Sequence, residues 1–358
     1  MTARRWSRGR RSRVAIGAAI GLASFAIALA LFDPAAPRRA QDFAAWRAGP
    51  TDARAVYWIG HSLMNARDPF VDGAPNLIEA VGDIARAEGL RYRSFDHTYF
   101  GAPLSLSWTG AARTYERREP EALARRRAFG RTMRDYDTLV LTEGVPVGPT
   151  MRAEGGSYYA QRFACAAVAA NPRVRIYVFE SWTEYDTARE LARRLEEDRP
   201  SWERLADEAA SAQVPEPTRL ARLSAWASPP DPECELPPIG LVPVGSALLT
   251  WIGAMAAAPE DWTREDGTRI TVPSLFANAR EDGRLAHPDA QEDAVHPSAL
   301  MTYFTALVHY ATLYRRRPSE AARGAMPYVG LTPETDARLR ELVWVSVSTD
   351  ERAGVGVE

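Results

Sequence analysis

Apolar residues along the chain gather in five short blocks, separated by longer stretches in which they recur at helical spacing. Ala55–Ile59 is β-branched and aromatic and stops at Gly60, which predicts a buried strand. Tyr92–Phe100, Thr138–Leu141, Arg175–Phe179 and Ile239–Val244 predict four more strands, and Pro243 places the last of these at a sheet edge. Between them, Pro75–Ala85, Pro120–Gly130, Tyr159–Ala170 and Ser246–Ala257 read as helices, with Gly89 and Asn171-Pro172 as stop signals. Such alternation predicts a mainly parallel sheet covered by helices on both faces.

Three regions depart from that rhythm. From 184 to about 235 the pattern becomes charged and helical, Arg189–Glu197 then Trp202–Ala210, before a proline-rich stretch; this predicts a helical insertion. Residues 259–290 carry glycine, proline and acidic residues throughout and read as irregular. Asp293–Ser298 is expected to open a long helix, Ala299–Tyr314, with Pro297 in the first turn where its missing N–H costs nothing. Thr332-Pro333-Glu334-Thr335-Asp336 predicts a capped start for one more helix, and the last residues are expected to fray.

The chain has 358 residues, 46% of them hydrophobic and 25% charged, enough for a proper core. Every cationic side chain apart from histidine is arginine, and a net charge of -2 gives no reason to expect a nucleic-acid partner. Six arginines (Arg4, Arg5, Arg8, Arg10, Arg11, Arg13) precede an uncharged run from Val14 to Phe32. That run is as long as the roughly 17–25 residues needed to cross a bilayer as a helix. The arginines would stay cytoplasmic, so the remainder is expected outside the cytoplasm, periplasmic or secreted. Either an uncleaved anchor, through which the chain would meet the membrane, or a signal peptide cut after Ala28-Leu29-Ala30 satisfies the pattern. The organisation read from this is 1–32 anchor or signal, 33–52 linker, 53–318 main domain, and 319–358 C-terminal helix and tail. The two cysteines, Cys165 and Cys234, are open to two readings: a disulfide of an exported protein, or a small core residue at 165.

Candidate chemistry begins directly after the first strand, at Gly60-His61-Ser62-Leu63. In open α/β sheets, ligands bind beyond the C-terminal ends of the strands, where a turn serine can face a crevice. A hydroxyl becomes a useful nucleophile only when a base takes its proton, and an imidazole serves best when a carboxylate fixes its tautomer. Asp293 and His296 are three residues apart, close enough for the carboxylate to reach the imidazole locally. The chemical expectation is a triad of Ser62, His296 and Asp293. No zinc-ligand spacing and no phosphate-cradling glycine loop occurs, so neither a metal nor an organic cofactor is implied.

Gly60-His61-Ser62-Leu63 resembles the first block of the GDSL or SGNH hydrolases, with His61 where that family more usually has aspartate or asparagine. Asp293-Ala294-Val295-His296-Pro297 is similar to the family's last block, Asp-x-x-His. Gly101 matches its strand-end glycine, whose backbone N–H helps to hold the oxyanion. The third block, Gly-x-Asn, is absent; Leu141-Thr142-Glu143 stands there and is closer to the Leu-Gln-Glu run of outlying branches. Thr142 has a hydroxyl to donate, whereas an ionised Glu143 has no proton to give.

The resemblance spans about residues 53–316. It implies a three-layer α/β/α sandwich with a flavodoxin-like five-stranded sheet and, with the hydrophobic N-terminal helix, an exported serine esterase. The small-molecule or carbohydrate acyl ester would be attacked by Ser62, with Ser62, Gly101 and Thr142 forming the oxyanion hole. His61, Glu143 and Trp182 are expected to line the substrate. Two alternatives remain at this level: an O-acyltransferase using the same triad, and an inactive binding protein on the same scaffold.

Overall fold

The computed structural model describes residues 51–110, 121–211 and 234–355. The helix expected over Val14–Phe32, the linker to residue 50 and most of the proline-rich part of the insertion lie outside the described residues. Among the described residues, no helix is long and apolar enough to cross a membrane.

All five predicted strands form. They are β1 Ala53–Gly60, β2 Arg91–Thr98, β3 Thr138–Leu141, β4 Arg175–Phe179 and β5 Ile239–Val242. They make one parallel sheet in the order β2-β1-β3-β4-β5, with β5 at an edge as expected and Pro243 just past its end. The helices between them are α1 Ser62–Asn65, α2 Leu77–Ala87, α3 Leu104–Thr109, α4 Ala122–Met133, α5 Val147–Glu154, α6 Gly156–Ala170 and α7 Ala188–Ala210. After β5 come α8 Val244–Ala257, the short strands β6 Phe276–Asn278, β7 Arg280–Glu281, β8 Arg284–Leu285 and β9 Asp293–Pro297, then α9 Ala299–Tyr314, α10 Ala321–Ala325 and α11 Pro333–Thr349.

Alternate residues of the central strands feed two cores. Val56, Trp58, Val140, Tyr177 and Phe179 pack with α2, α8, α9 and α11. Tyr57, Ile59, Leu139, Leu141, Ile176 and Val178 pack with α4 and α6 on the opposite face. Burial on both sides explains why these strands read as unbroken apolar runs. Helix α9 is buried over its whole length, which its apolar sequence requires.

Three sequence expectations change. The two charged helices of the insertion are one, α7, which continues through Pro200. Leu191 and Leu195 enter one core and Trp202, Leu205 and Ala206 the other, so packing at both ends outweighs the hydrogen bond that an internal proline removes. Residues 276–297 are not irregular up to a helix: β6 pairs antiparallel with β9, and Pro297 ends a strand opposite Phe276. Helix α9 spans the expected residues, Ala299–Tyr314, with the Ser298 side chain accepting from Met301 N–H as the N-cap. Finally, the described part of the tail is held. Arg352 pairs with Asp207 at 2.8 Å, Asp350 pairs with Arg199 at 2.8 Å, and Ala353 is buried in the first core with Leu339, Val343 and Val347 of α11. Cys165 of α6 and Cys234 form a disulfide, with Cα atoms 5.8 Å apart.

Candidate active site

Sheet register assembles the site. Gly60 pairs with Thr98 of β2, and Ile59 pairs with Leu141 of β3, so the three strands end level. The residues that follow, His61-Ser62, Tyr99–Gly101 and Thr142–Gly144, therefore leave the sheet at one rim. A Cβ at Gly60 would lie 2.5 Å from the Thr142 methyl, which makes glycine necessary just before the Ser62 turn. Ser62 begins the short helix α1 and is half-buried.

The Asp293–His296 strand packs directly on α1, bringing residues more than two hundred positions apart to that same rim. His296 Nδ1 lies 2.8 Å from Asp293 Oδ2. The other carboxylate oxygen accepts from the backbone N–H of His296 at 2.9 Å and of Val295 at 3.2 Å. Partial burial on its own would raise the Asp293 carboxyl, but these hydrogen bonds outweigh it and hold the group below the usual carboxylate range. Asp293 therefore stays ionised, takes the Nδ1 proton as its hydrogen bond and leaves Nε2 of the imidazole as the basic nitrogen.

Three contacts fix that strand. Trp182 donates from Nε1 to the carbonyl of Val295 at 2.8 Å. Asp68, six residues beyond Ser62, accepts from Ala299 N–H at 2.8 Å and from Phe70 N–H at 2.9 Å. Ser298 donates through its hydroxyl to the carbonyl of Ser274 at 3.0 Å.

Two backbone donors lie in the segments that follow β1 and β2. Ser62 N–H, at the first position of α1, and Gly101 N–H make no hydrogen bond to any described residue. Gly101 is exposed and has φ +64°, a left-handed conformation that glycine adopts without strain.

Four expected site residues, Thr142, Trp182, Glu143 and His61, are buried and play different parts from those foreseen. Thr142 is fully buried and its hydroxyl donates to Phe179 O at 3.1 Å, so its one proton is committed to the sheet and cannot reach an oxyanion. Trp182 is fully buried against Phe179 and Phe276; it cannot wall a substrate and instead braces the His296 strand. Glu143 is also fully buried, its Oε1 accepting from Leu104 N–H at 3.1 Å and Gly144 N–H at 2.7 Å. His61 is buried too, with Nε2 2.9 Å from the Glu143 carbonyl, which makes Nε2 the protonated nitrogen. Burial drives its pKa down to about 4, so the ring is neutral at ordinary pH.

Phe100 was not foreseen from the sequence. It precedes Gly101, remains 40% exposed, and its ring centroid lies 6.1 Å from that of His296. An aromatic residue next to a turn glycine was the one signal, but a strand-end phenylalanine more often packs inward. Beside this frame lies a cavity of about 830 Å³ lined by Asp68, Phe70, Arg264, Phe276, His287 and Ser298. Its lining does not include Ser62, Gly101 or His296.

No family model matches the sequence, and no curated protein matches it. Among solved structures, several chains align with the fold. A protein described as a putative GDSL-like lipase from Parabacteroides merdae is 12% identical over 78% of this chain and 98% of its own, with a TM-score of 0.36. A carbohydrate esterase family 2 enzyme with a carbohydrate-binding domain, from Corynascus thermopiles (Myceliophthora fergusii), is 15% identical over 59% of this chain and 67% of its own, with a TM-score of 0.28. At such scores the likeness adds no weight to the geometry, which has to speak for itself.

Proposed function

We propose that the chain is a serine hydrolase of acyl esters. The observation that carries the reading is the Asp293–His296 hydrogen bond at 2.8 Å on a strand packed against the Ser62 turn. Ser62 Oγ attacks the ester carbonyl while His296 Nε2 accepts its proton. Asp293 holds the imidazole in the required tautomer and stabilises the imidazolium that forms. The oxyanion is held by two backbone donors, Ser62 N–H and Gly101 N–H. His296 then gives its proton to the departing alcohol. Water attacks the acyl-enzyme in a second, equivalent round that restores the free hydroxyl. With Thr142 and Glu143 both committed to the backbone, the third side-chain donor of the SGNH pattern has no substitute in either residue.

The reading extends to location and substrate. The Cys165–Cys234 disulfide and the arginine-rich start followed by Val14–Phe32 support an extracytoplasmic enzyme. Phe100, beside the imidazole that protonates the leaving group, stands where the alcohol part of the ester would lie. An exposed aromatic face there suits an O-acetylated sugar. The test is hydrolysis of 4-nitrophenyl acetate by the purified protein: wild type turns it over and Ser62→Ala does not. A folded wild type as slow as Ser62→Ala contradicts the reading.

A further inference from the structure

Where the SGNH pattern places a donor, this chain has a buried acceptor, and its contacts explain what it is for. Glu143 follows β3 by two residues and bonds to the segments that follow β1 and β2. Through Oε1 it accepts from Leu104 N–H, three residues after Gly101, and through its main-chain carbonyl it accepts from His61 Nε2, one residue before Ser62. Oε2 has no hydrogen-bond partner and lies against Gly156, where any Cβ would collide with it. The site is therefore shaped around this carboxyl: Gly156 makes room for it, and Leu104 closes over it.

We infer that Glu143 is the positioning residue of the two-donor oxyanion hole, fixing the Gly101 turn and the Ser62 turn to one point at the end of β3. The inference rests on the esterase reading above. It gives the third-block position a different role, in which an acceptor holds the backbone donor in place and no side chain there touches the oxyanion. What matters is the acceptor at Oε1. A neutral amide oxygen serves as well there, because a Gln carbonyl also has two lone pairs.

The predicted consequences separate positioning from folding. Glu143→Ala, with its circular dichroism unchanged, lowers kcat on 4-nitrophenyl acetate at least tenfold and at most by the roughly 100–1000-fold that loss of an oxyanion donor costs, while KM stays near wild type. Glu143→Gln restores kcat to near wild type. Amide exchange at Leu104, slow in wild type, accelerates in Glu143→Ala and not in Glu143→Gln. Should Glu143→Ala not fold, Glu143→Met, which fills the volume without accepting a hydrogen bond, replaces it. Unchanged kcat in the folded Ala or Met variant overturns the inference, as do a Gln variant no better than Ala and failure of both apolar variants to fold. A wild type that hydrolyses no ester refutes the esterase reading instead, and exchange at Leu104 then still reports whether Glu143 holds the loop.

Discussion

The indole Nε1–H of Trp182 donates to the carbonyl oxygen of Val295 at 2.8 Å, across 113 residues of sequence. Trp182 lies three residues past the end of β4, and Val295 sits between Asp293 and His296. One hydrogen bond thus sets the strand that carries His296 against the sheet whose first strand leads into Ser62. Trp182→Phe keeps the ring packing and leaves the Val295 carbonyl without this donor, an unsatisfied group that costs about 1–3 kcal/mol. The expected outcome is a lower melting temperature together with a lower kcat, measured by thermal unfolding and aryl acetate turnover.

Asp293 matters through the tautomer it imposes on His296. Asp293→Asn keeps the shape and removes the charge that stabilises imidazolium, so kcat should fall by roughly 10²–10⁴ while KM changes little. A steady-state comparison with wild type checks this.

Gly101 has open space where a Cβ would go, so steric collision is not what excludes other residues. Its φ of +64° is the obstacle, at about 1–2 kcal/mol for a residue with a Cβ. Gly101→Ala is expected to relax the turn, move the N–H off the oxyanion and lower kcat more than tenfold, in the range set by a lost donor. The unfolding free energy should fall by only the backbone cost, which denaturant titration measures.

Much of this was legible in the sequence because local chemistry decides it. The five strands, the edge position of β5, the helix start at Thr332, and the pairing of Asp293 with His296 follow from residues close together along the chain. What escaped depends on partners far away. Asp293–Pro297 is a strand because Phe276 and Asn278 lie opposite it, and the helical signal of Pro297 has no means of announcing that. Thr142 was a reasonable donor until Phe179 O claimed its proton, and Trp182 was a reasonable substrate wall until Phe179 and Phe276 closed around it. Continuity of α7 through Pro200 is likewise a tertiary decision, taken by the packing at its two ends.

Burial raises the Glu143 carboxyl from its ordinary value to about 7, and the nearby charge of Glu154 pushes the same way against the Gly144 and Leu104 N–H bonds. Between the ordinary carboxylate range and that value the folded state binds a proton that the unfolded chain has lost. Stability is therefore fully present below the unfolded pKa and declines as pH rises through 7, by a few kcal/mol at most. Glu143→Gln removes that slope. Unfolding free energies measured from pH 4 to pH 8 should fall for wild type relative to the variant.

Nothing tests the central claim, that His296 makes Ser62 nucleophilic, more directly than covalent capture. Wild type, Ser62→Ala and His296→Ala are each incubated with a fluorophosphonate and mapped by peptide mass spectrometry. The account predicts one adduct on Ser62 of wild type, none on Ser62→Ala, and a far slower reaction in His296→Ala. Folded wild type that takes up no probe, or takes it up on another residue, contradicts it.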